Sequence, residues 1–315
     1  MGSMKRIFVV GCPRSGTTIV QALLARYPGV LTLPETAFFE SVFGGIGQRW
    51  QDPDARRDPW YRRHGFGFAR SHGPKRLHRL ETELLGLSQA PPWRIEPCIR
   101  RFVQLLDDVA SSQDCEAWVE KTPNHVMYVD EIARHVADAR FVHVLRNGED
   151  VVASVVDADL LHPTHAFHGG VRHWVRRWNR VMDLQLAHLG AAGHYVICLE
   201  DLVGQFDQQW TRLCAFLDFD PSLPLATAPH NAVADAALEP WKRNALSGVV
   251  RPTLRKSENL FGPRMLEWMR SNLTSYDDIR ACVARAQECG AQRSCAAKLA
   301  LPETRTPGRD RAFAA

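Results

Sequence analysis

The chain has 315 residues, of which 45% are hydrophobic and 23% charged, so it can bury a full core and is not intrinsically disordered. Its formal net charge of +4 is too small to indicate a nucleic-acid-binding protein. No apolar run approaches the roughly 18 residues that a membrane span needs, and a strand pattern begins too early to leave room for a signal peptide. We therefore expect a cytoplasmic protein with no membrane span.

The first predicted strand is Lys5–Gly11, because it is short, rich in β-branched residues and ends in glycine. A loop follows it. From Gly16 to about Arg26 the apolar residues fall at helical spacing, and Pro28-Gly29 ends that pattern. These segments predict a strand–loop–helix unit at the start of the chain.

A second strand–helix unit and a third strand come later in the sequence. The segment Ala139–Leu145 reads as a strand that leads through Arg146 into a helix over Glu149–Val156. Tyr195–Leu199 is a further strand, and an amphipathic helix over Val171–Leu189 precedes it. This alternation predicts an α/β fold, a doubly wound parallel sheet with helices on both faces and a P-loop-like start, whose ligand site lies at the carboxyl ends of the strands.

The remaining segments do not follow that alternation. Residues 40–120 are rich in Gly, Pro, Arg and aromatic residues without a clean period, and we interpret them as an inserted lid or ligand-binding region. Helical patterns near 263–271 and 276–289 close the fold, and the polar, Pro-containing residues 302–315 predict a flexible tail. We expect one domain over residues 4–301.

The loop after the first strand is a candidate anion site. Gly11 and Gly16 have the spacing of the Walker A pattern G-x-x-x-x-G-K-[ST], and backbone amides at a helix start bind anions. Position 17 is threonine rather than lysine, and the cation of the loop is Arg14. A magnesium-triphosphate mechanism therefore lacks its usual parts. Because the cysteines also show no zinc-ligand spacing, we expect no metal.

Two segments resemble motifs of the sulfotransferases that use 3'-phosphoadenosine 5'-phosphosulfate (PAPS). Residues 11–18, Gly-Cys-Pro-Arg-Ser-Gly-Thr-Thr, are similar to the family's G-x-P-R-S-G-T-T loop, which holds the 5'-phosphosulfate. Residues 146–154 are similar to its second motif, in which a strand-end arginine and a serine eight residues later bind the 3'-phosphate. Weaker similarity extends over residues 5–203, at Leu33–Thr36, Glu120–Pro123 and Leu199–Leu202.

The resemblance implies sulfuryl transfer from PAPS to a hydroxyl of a small-molecule acceptor, with 3',5'-adenosine bisphosphate (PAP) as product and residues 40–120 holding the acceptor. Tyr195 or Trp178 is a candidate for stacking on adenine, although both also suit core packing. Arg251 or residues 241–244 are candidates for closing over the 3'-phosphate. The donor-binding candidates are Cys12, Pro13, Arg14, Ser15, Gly16, Thr17, Thr18, Arg146, Ser154, Tyr195 and Arg251.

The resemblance also assigns catalytic candidates. Members with a Pro-Glu-Thr segment use its glutamate as general base, here Glu35, where Ala37 replaces the histidine of many relatives. A helix-cap or salt-bridge role for Glu35 stays open, and His125 is the alternative base. Lys121 is a candidate for contacting the sulfuryl oxygens or the acceptor, or else a solvated turn residue. Arg14 is expected to stabilise the departing 5'-phosphate.

Two other functions remain open at this point. A P-loop kinase or triphosphatase with a degenerate loop would bind ATP with magnesium, and a non-catalytic nucleotide-binding protein would bind without turnover. The sulfotransferase interpretation predicts binding of PAP without a metal. The sequence leaves a secondary metabolite, a lipid and a carbohydrate open as acceptors, and it does not indicate the oligomeric state.

Overall fold

The computed structural model describes residues 3–53, 55, 68–70, 72–162, 167–231, 233, 245–246 and 255–288. In this part of the chain the strands form one parallel sheet in the order β2-β3-β1-β4-β5. The strands are β1 (Lys5–Gly11), β2 (Val30–Thr32), β3 (Ala117–Lys121), β4 (Ala139–Leu145) and β5 (His194–Cys198).

Helices follow or link these strands. A 3₁₀ helix occupies Pro123–Tyr128, directly after β3. The α-helices of the described ranges are α1 (Thr17–Leu24), α2 (Phe38–Phe43), α3 (Ile46–Arg49), α4 (His72–Leu85), α5 (Ile95–Ser112), α6 (Val129–His135), α7 (Gly148–Leu161), α8 (Gly170–Ala187), α9 (Leu199–Gly204), α10 (Phe206–Leu217), α11 (Lys256–Leu260), α12 (Pro263–Asn272) and α13 (Tyr276–Glu288).

Strand β1 lies between two hydrophobic layers and contributes side chains to both, because successive side chains of a strand point to opposite faces. Phe8 packs in a cluster with residues of α5, α8 and α13, and Val9 packs in another with residues of α1 and α10. Both side chains are fully buried. The predicted α/β fold with a doubly wound parallel sheet is therefore confirmed, with helices on both faces.

The register of the sheet brings several chain segments to one edge. Gly11 at the end of β1 lies opposite Val144 of β4, and Val9 lies opposite Lys121 at the end of β3. In parallel strands the carboxyl ends share an edge, so the segments after β1, β2, β3 and β4 all emerge there. The predicted phosphate loop, Glu35, Lys121 and Arg146 come from these four segments.

The structure differs from the predicted inserted region over its second half. Residues 95–121 form α5 and β3, and β3 lies between β2 and β1 inside the sheet. The buried side of α5 includes Cys98, Ile99, Phe102 and Leu106. This helix is thus the crossover that covers one face of the sheet. The predicted tail, residues 302–315, lies outside the described residues. Among those described, no helix has both the length and the apolar character to cross a bilayer.

Candidate active site

The loop between β1 and α1 is a tight cradle that depends on two glycines. A Cβ on Gly11 would lie 2.6 Å from the Val144 carbonyl oxygen and 2.9 Å from Ser15 Oγ. Gly16 has a φ of 101°, and a Cβ there would lie 2.8 Å from Leu199. Gly11 is therefore required for steric reasons, and Gly16 also for its left-handed backbone.

The residues at the start of α1 offer hydrogen-bond donors to an anion. The residue before this eight-residue helix is Gly16, which has no side chain that could cap it, and the first N–H groups lie at the positive end of the helix dipole. Ser15, Thr17 and Thr18 add buried hydroxyl groups. Ser15 Oγ has no hydrogen-bond partner among the described residues, and a buried polar atom without a partner is costly. The cradle thus fits a phosphate or phosphosulfate group.

The two sequence motifs meet at Arg14. Its backbone is left-handed, with a φ of 72°, and its Nε donates to Ser154 Oγ at 3.1 Å. Arg146 donates from Nη1 to the Arg14 carbonyl oxygen at 3.2 Å. The Arg146 side chain is buried, and its Nε lacks a hydrogen-bond partner within the described ranges. The structure therefore brings Arg14, Arg146 and Ser154 together next to the cradle.

Arg146 is held in place by the start of α7. Asn147 caps this helix, since its side-chain oxygen accepts from the Glu149 amide at 2.9 Å. The backbone amide of Asn147 in turn donates to Glu200 Oε1 at 3.0 Å. Trp178 Nε1 of α8 donates to the Arg146 carbonyl oxygen at 3.1 Å. Glu200 belongs to Leu199–Leu202, one of the three segments of weaker similarity, and its contact shows how that segment supports the second motif.

Glu35 and Lys121 form an ion pair at the same edge of the sheet. Lys121 Nζ contacts Glu35 Oε1. The Lys121 side chain is fully buried, whereas 27% of the Glu35 side chain is exposed. Arg76 of α4 donates to the Thr36 carbonyl oxygen through Nε and to the Glu35 carbonyl oxygen at 3.0 Å through Nη2. Lys121 is thus not a solvated turn residue.

Arg76 was not predicted from the sequence. It lies 41 positions from Glu35 in a segment without a motif. The basic run Lys75-Arg76 was the only local signal. Such a run is usually a solvated helix face.

His125 lies below the site, in the core. Its Nδ1 is 2.8 Å from Glu120 Oε2, and both side chains are fully buried. A buried imidazole offers no surface to an acceptor, whereas the Glu35 carboxylate is partly exposed. The geometry therefore favours Glu35 over His125 as the group that meets an acceptor.

The other candidates occupy different places. Tyr195 lies opposite Val142, within the sheet, and its ring stacks on Phe216 at 5.4 Å, so the structure does not bring it to the phosphate loop. Trp178 is fully buried. Arg251 and residues 241–244 lie outside the described residues.

Cys12 and Pro13 form the first half of the loop. Burial raises the pKa of the Cys12 thiol, and the side chain belongs to the hydrophobic core. Cys12 is therefore a neutral packing residue under the cradle, while Pro13 is half-buried. Any contact they make with a donor is through the backbone or the Pro13 ring.

Comparisons with known proteins identify the family of this chain. The model of the sulfotransferase family matches residues 6–222. A search of curated protein sequences gives no match. Among solved structures, the chain is similar to three sulfotransferases, and the values in parentheses are the identity, the covered share of this chain, the covered share of the other chain and the TM-score. They are the sulfotransferase domain of the Synechococcus PCC 7002 olefin synthase (17%, 92%, 96%, 0.42), the Mycobacterium avium sulfotransferase STF9 (13%, 86%, 76%, 0.45) and the mouse sulfotransferase SULT7A1 complexed with PAP (13%, 90%, 89%, 0.46). Because the family model covers more than half of its length, the chain belongs to the sulfotransferase family and is a sulfotransferase enzyme.

Proposed function

We propose that this enzyme transfers a sulfuryl group from PAPS to a hydroxyl of a small-molecule acceptor. Family membership supports sulfuryl transfer in general. The contact between the two anion-binding motifs carries the choice of donor, since Arg14 Nε lies 3.1 Å from Ser154 Oγ and Arg146 Nη1 lies 3.2 Å from the Arg14 carbonyl oxygen. A nucleotide with separate 5'- and 3'-phosphate groups needs two adjacent anion sites, and this pair of motifs supplies them.

Unpaired buried atoms support the same donor. Ser15 Oγ and Arg146 Nε are both buried without a hydrogen-bond partner in the part of the chain that the structure describes. One belongs to the 5' cradle and the other to the arginine that the second motif places at the 3'-phosphate. Each atom would gain a charge-assisted hydrogen bond from a bound phosphate, which removes the cost of its burial.

Each residue of the site then has a role in the transfer. PAPS supplies an activated sulfuryl group whose bridging oxygen departs with the 5'-phosphate. Glu35 accepts the proton of the acceptor hydroxyl as the bond between that oxygen and sulfur forms. Lys121 holds the Glu35 carboxylate in one orientation. Arg14 and the amides of residues 15–18 stabilise the negative charge on the departing phosphate.

The replacement Glu35→Gln tests this assignment. With radiolabelled PAPS and a panel of hydroxylated acceptors, we expect transfer to fall by about 10²–10⁴-fold, the usual contribution of a general base. PAP binding, measured by calorimetry with and without a chelator, should stay within about twofold, because Glu35 lies outside the phosphate cradle. Glu116→Gln is the matched control, since its side chain is 65% exposed.

The possible outcomes test the assignment of PAPS as donor and of Glu35 as base independently. Undiminished transfer by Glu35→Gln would exclude Glu35 as the base but leave the donor site intact. Failure of the wild-type protein to bind PAP would contradict the proposal that PAPS is the donor. Magnesium-dependent binding of ATP in place of PAP would favour the kinase alternative.

A further inference from the structure

Strand β3 ends in two charged residues that are both fully buried, Glu120 and Lys121. Neighbouring side chains of a strand point to opposite faces, and these two serve different partners. Lys121 pairs with Glu35, while Glu120 faces the hydrophobic layer around Phe8 and Phe39. The proposed transfer uses Lys121 and leaves Glu120 without a role. A buried carboxylate is costly unless its oxygens are bonded, so its surroundings define what it does.

The Glu120 carboxylate is the centre of a buried hydrogen-bond network. Its Oε1 accepts from Thr36 Oγ1 at 2.7 Å, from the Thr36 amide at 3.4 Å and from Thr122 Oγ1 at 2.6 Å. Its Oε2 lies 2.8 Å from His125 Nδ1. These four groups surround a carboxylate that has no exposed surface. We refer to Glu120, Thr36, Thr122 and His125 as the Glu120 network.

The network binds three successive backbone amides directly after Glu35. The Thr36 amide donates to Glu120. The Ala37 amide donates to Thr122 Oγ1 at 3.1 Å, and the Phe38 amide donates to Thr36 Oγ1 at 3.2 Å. Ala37 is held in the left-handed region with a φ of 47°, which a residue with a side chain adopts only under constraint.

Arg76 completes the constraint from the opposite side of the segment. It donates to the carbonyl oxygens of Glu35 and Thr36, so the backbone next to the proposed base is bound through both its amides and its carbonyls. From this fixed backbone the Glu35 side chain reaches Lys121. Placement of a catalytic group to within a fraction of an ångström is worth large rate factors.

The charge of Glu120 suits this use. Burial acts to raise the pKa of its carboxyl, but the charge and hydrogen bond of His125 and the hydrogen bonds of Thr122 and Thr36 outweigh burial and lower the pKa to about 2. Glu120 is therefore a carboxylate at neutral pH and accepts from every donor around it. A protonated carboxyl group would instead bring one donor hydrogen into the network, and an amide side chain would bring two.

We propose that Glu120 is a positioning residue for sulfuryl transfer, whose network fixes the backbone after Glu35 and so holds the Glu35 carboxylate against Lys121. This inference rests on the proposed function in one respect, since Glu35 is the base there. Glu120 itself contacts neither donor nor acceptor. Its effect on the reaction passes through Thr36 and Thr122.

Accessibility of Lys121 provides a test that does not depend on activity. In the wild-type protein Lys121 is buried under Glu35 and should react slowly with an amine acylating reagent, as followed by mass spectrometry. Thr36→Val removes one hydroxyl from the network at equal size, and we expect it to raise the acylation rate of Lys121 by about tenfold through local opening. Thr36→Ser keeps the hydroxyl and should stay near the wild-type rate.

The same variants are then compared in turnover. With the acceptor found in the panel, we expect Thr36→Val and Glu120→Gln to lower kcat by about 10–100-fold, while the Kd for PAP stays within about twofold. Glu81→Gln is the matched control, because Glu81 is a buried carboxylate that binds Arg101 and is not a member of the Glu120 network. A comparable loss of stability in Glu81→Gln should leave Lys121 acylation and kcat near the wild-type values.

Two results would overturn the proposal. One is acylation of Lys121 that is equally slow in Thr36→Val, Glu120→Gln and the wild-type protein. The other is a fall in kcat that Glu81→Gln reproduces at equal loss of stability. If the wild-type protein fails to bind PAP, the proposed function is lost, but the acylation rates still decide whether the Glu120 network holds Glu35 against Lys121.

Discussion

Arg14 connects the two anion-binding motifs through both its side chain and its backbone. Its Nε binds Ser154, and its carbonyl oxygen accepts from Arg146. A lysine carries its three donor hydrogens on one nitrogen, whereas the Arg14 guanidinium spreads its donors over a planar fork of three nitrogens, one of which binds Ser154. The cation of this loop is Arg14, whereas the Walker A pattern has its lysine at position 17. Because of this different position, the cation links the two sites that the donor would occupy.

The close packing around Gly11 can be tested directly by adding a side chain at this position. The nearest atom to an added Cβ is the Val144 carbonyl oxygen, a backbone atom of the central sheet that cannot move aside. We expect Gly11→Ala to lower the free energy of unfolding by about 1–3 kcal/mol through overpacking. We also expect it to weaken PAP binding by at least about tenfold because the cradle is displaced. Urea unfolding and calorimetry measure the two effects.

Gly204→Ala is the control for this substitution. An added Cβ there meets no atom within 4 Å, so stability should change by no more than about 0.5 kcal/mol. PAP binding should be unchanged as well. Wild-type affinity in Gly11→Ala would show that the close approach of β1 and β4 does not shape the anion site.

At the scale of elements, the start of α7 couples helix stability to the position of Arg146. Asn147 caps the helix and directly follows Arg146. Asn147→Ala removes the cap, and we expect a loss of about 0.5–2 kcal/mol in the free energy of unfolding. PAP affinity should fall too, because the strand end that carries Arg146 loses its anchor. Asn147→Ser keeps a capping oxygen and should recover most of both losses. Equal behaviour of the alanine and serine variants would contradict the coupling.

The sequence predicts the apolar elements and the contiguous motifs best. Strands β1 and β4 were recognisable because each has a short run dominated by apolar residues, and the phosphate loop because its residues are consecutive. Strand β3 was not predicted as part of the sheet, since two of its five residues are charged and only tertiary partners make their burial possible. Helix α5 does show an apolar face at helical spacing, a signal hidden by the irregular segments before it.

The contacts around Glu35 could not be predicted for a different reason. Arg76 and Glu120 bind the Glu35 segment across 41 and 84 positions of the chain. Arg76 carries no local pattern that distinguishes it from a surface charge, and the weak similarity at Glu120–Pro123 does not indicate what the Glu120 side chain binds. The pairing with Glu120 follows from strand order and that with Arg76 from the packing of α4, and a single sequence does not reveal which elements become neighbours.

The fold also buries titratable side chains that have no role in the proposed reaction. His143 of β4, His194 of β5 and His188 after α8 form a stacked cluster, in which His143 Nε2 lies 3.0 Å from His194 Nδ1. Burial first, and then the charge of His188, lower the pKa of His194 to about 4. Burial likewise lowers the pKa of His143 and of His188, although Asp130 near His188 acts in the opposite direction.

These lowered pKa values determine how stability changes with pH. The ordinary histidine pKa is 6.5, so below that pH the unfolded chain binds protons that the folded protein excludes. The contribution of the cluster is complete above about pH 6.5 and is lost as the pH falls through about 4. The loss from Glu120 begins lower, because its folded pKa of about 2 lies below an ordinary value of 4.5. Between pH 7 and 5 the change in stability therefore comes from the histidine cluster and not from Glu120.

His194→Phe tests this separation, because a phenyl ring keeps the stacking on Phe141 and His188 but does not titrate. We expect a lower stability at pH 8, by about 1 kcal/mol for the lost hydrogen bond to His143, and a shallower fall in the urea midpoint between pH 7 and 5. The number of protons taken up on unfolding should decrease by about one. His168→Gln, at an exposed histidine, should retain the wild-type slope. If His194→Phe and the wild-type protein lose stability in parallel over this range, the cluster is not the group that makes the fold sensitive to mild acid.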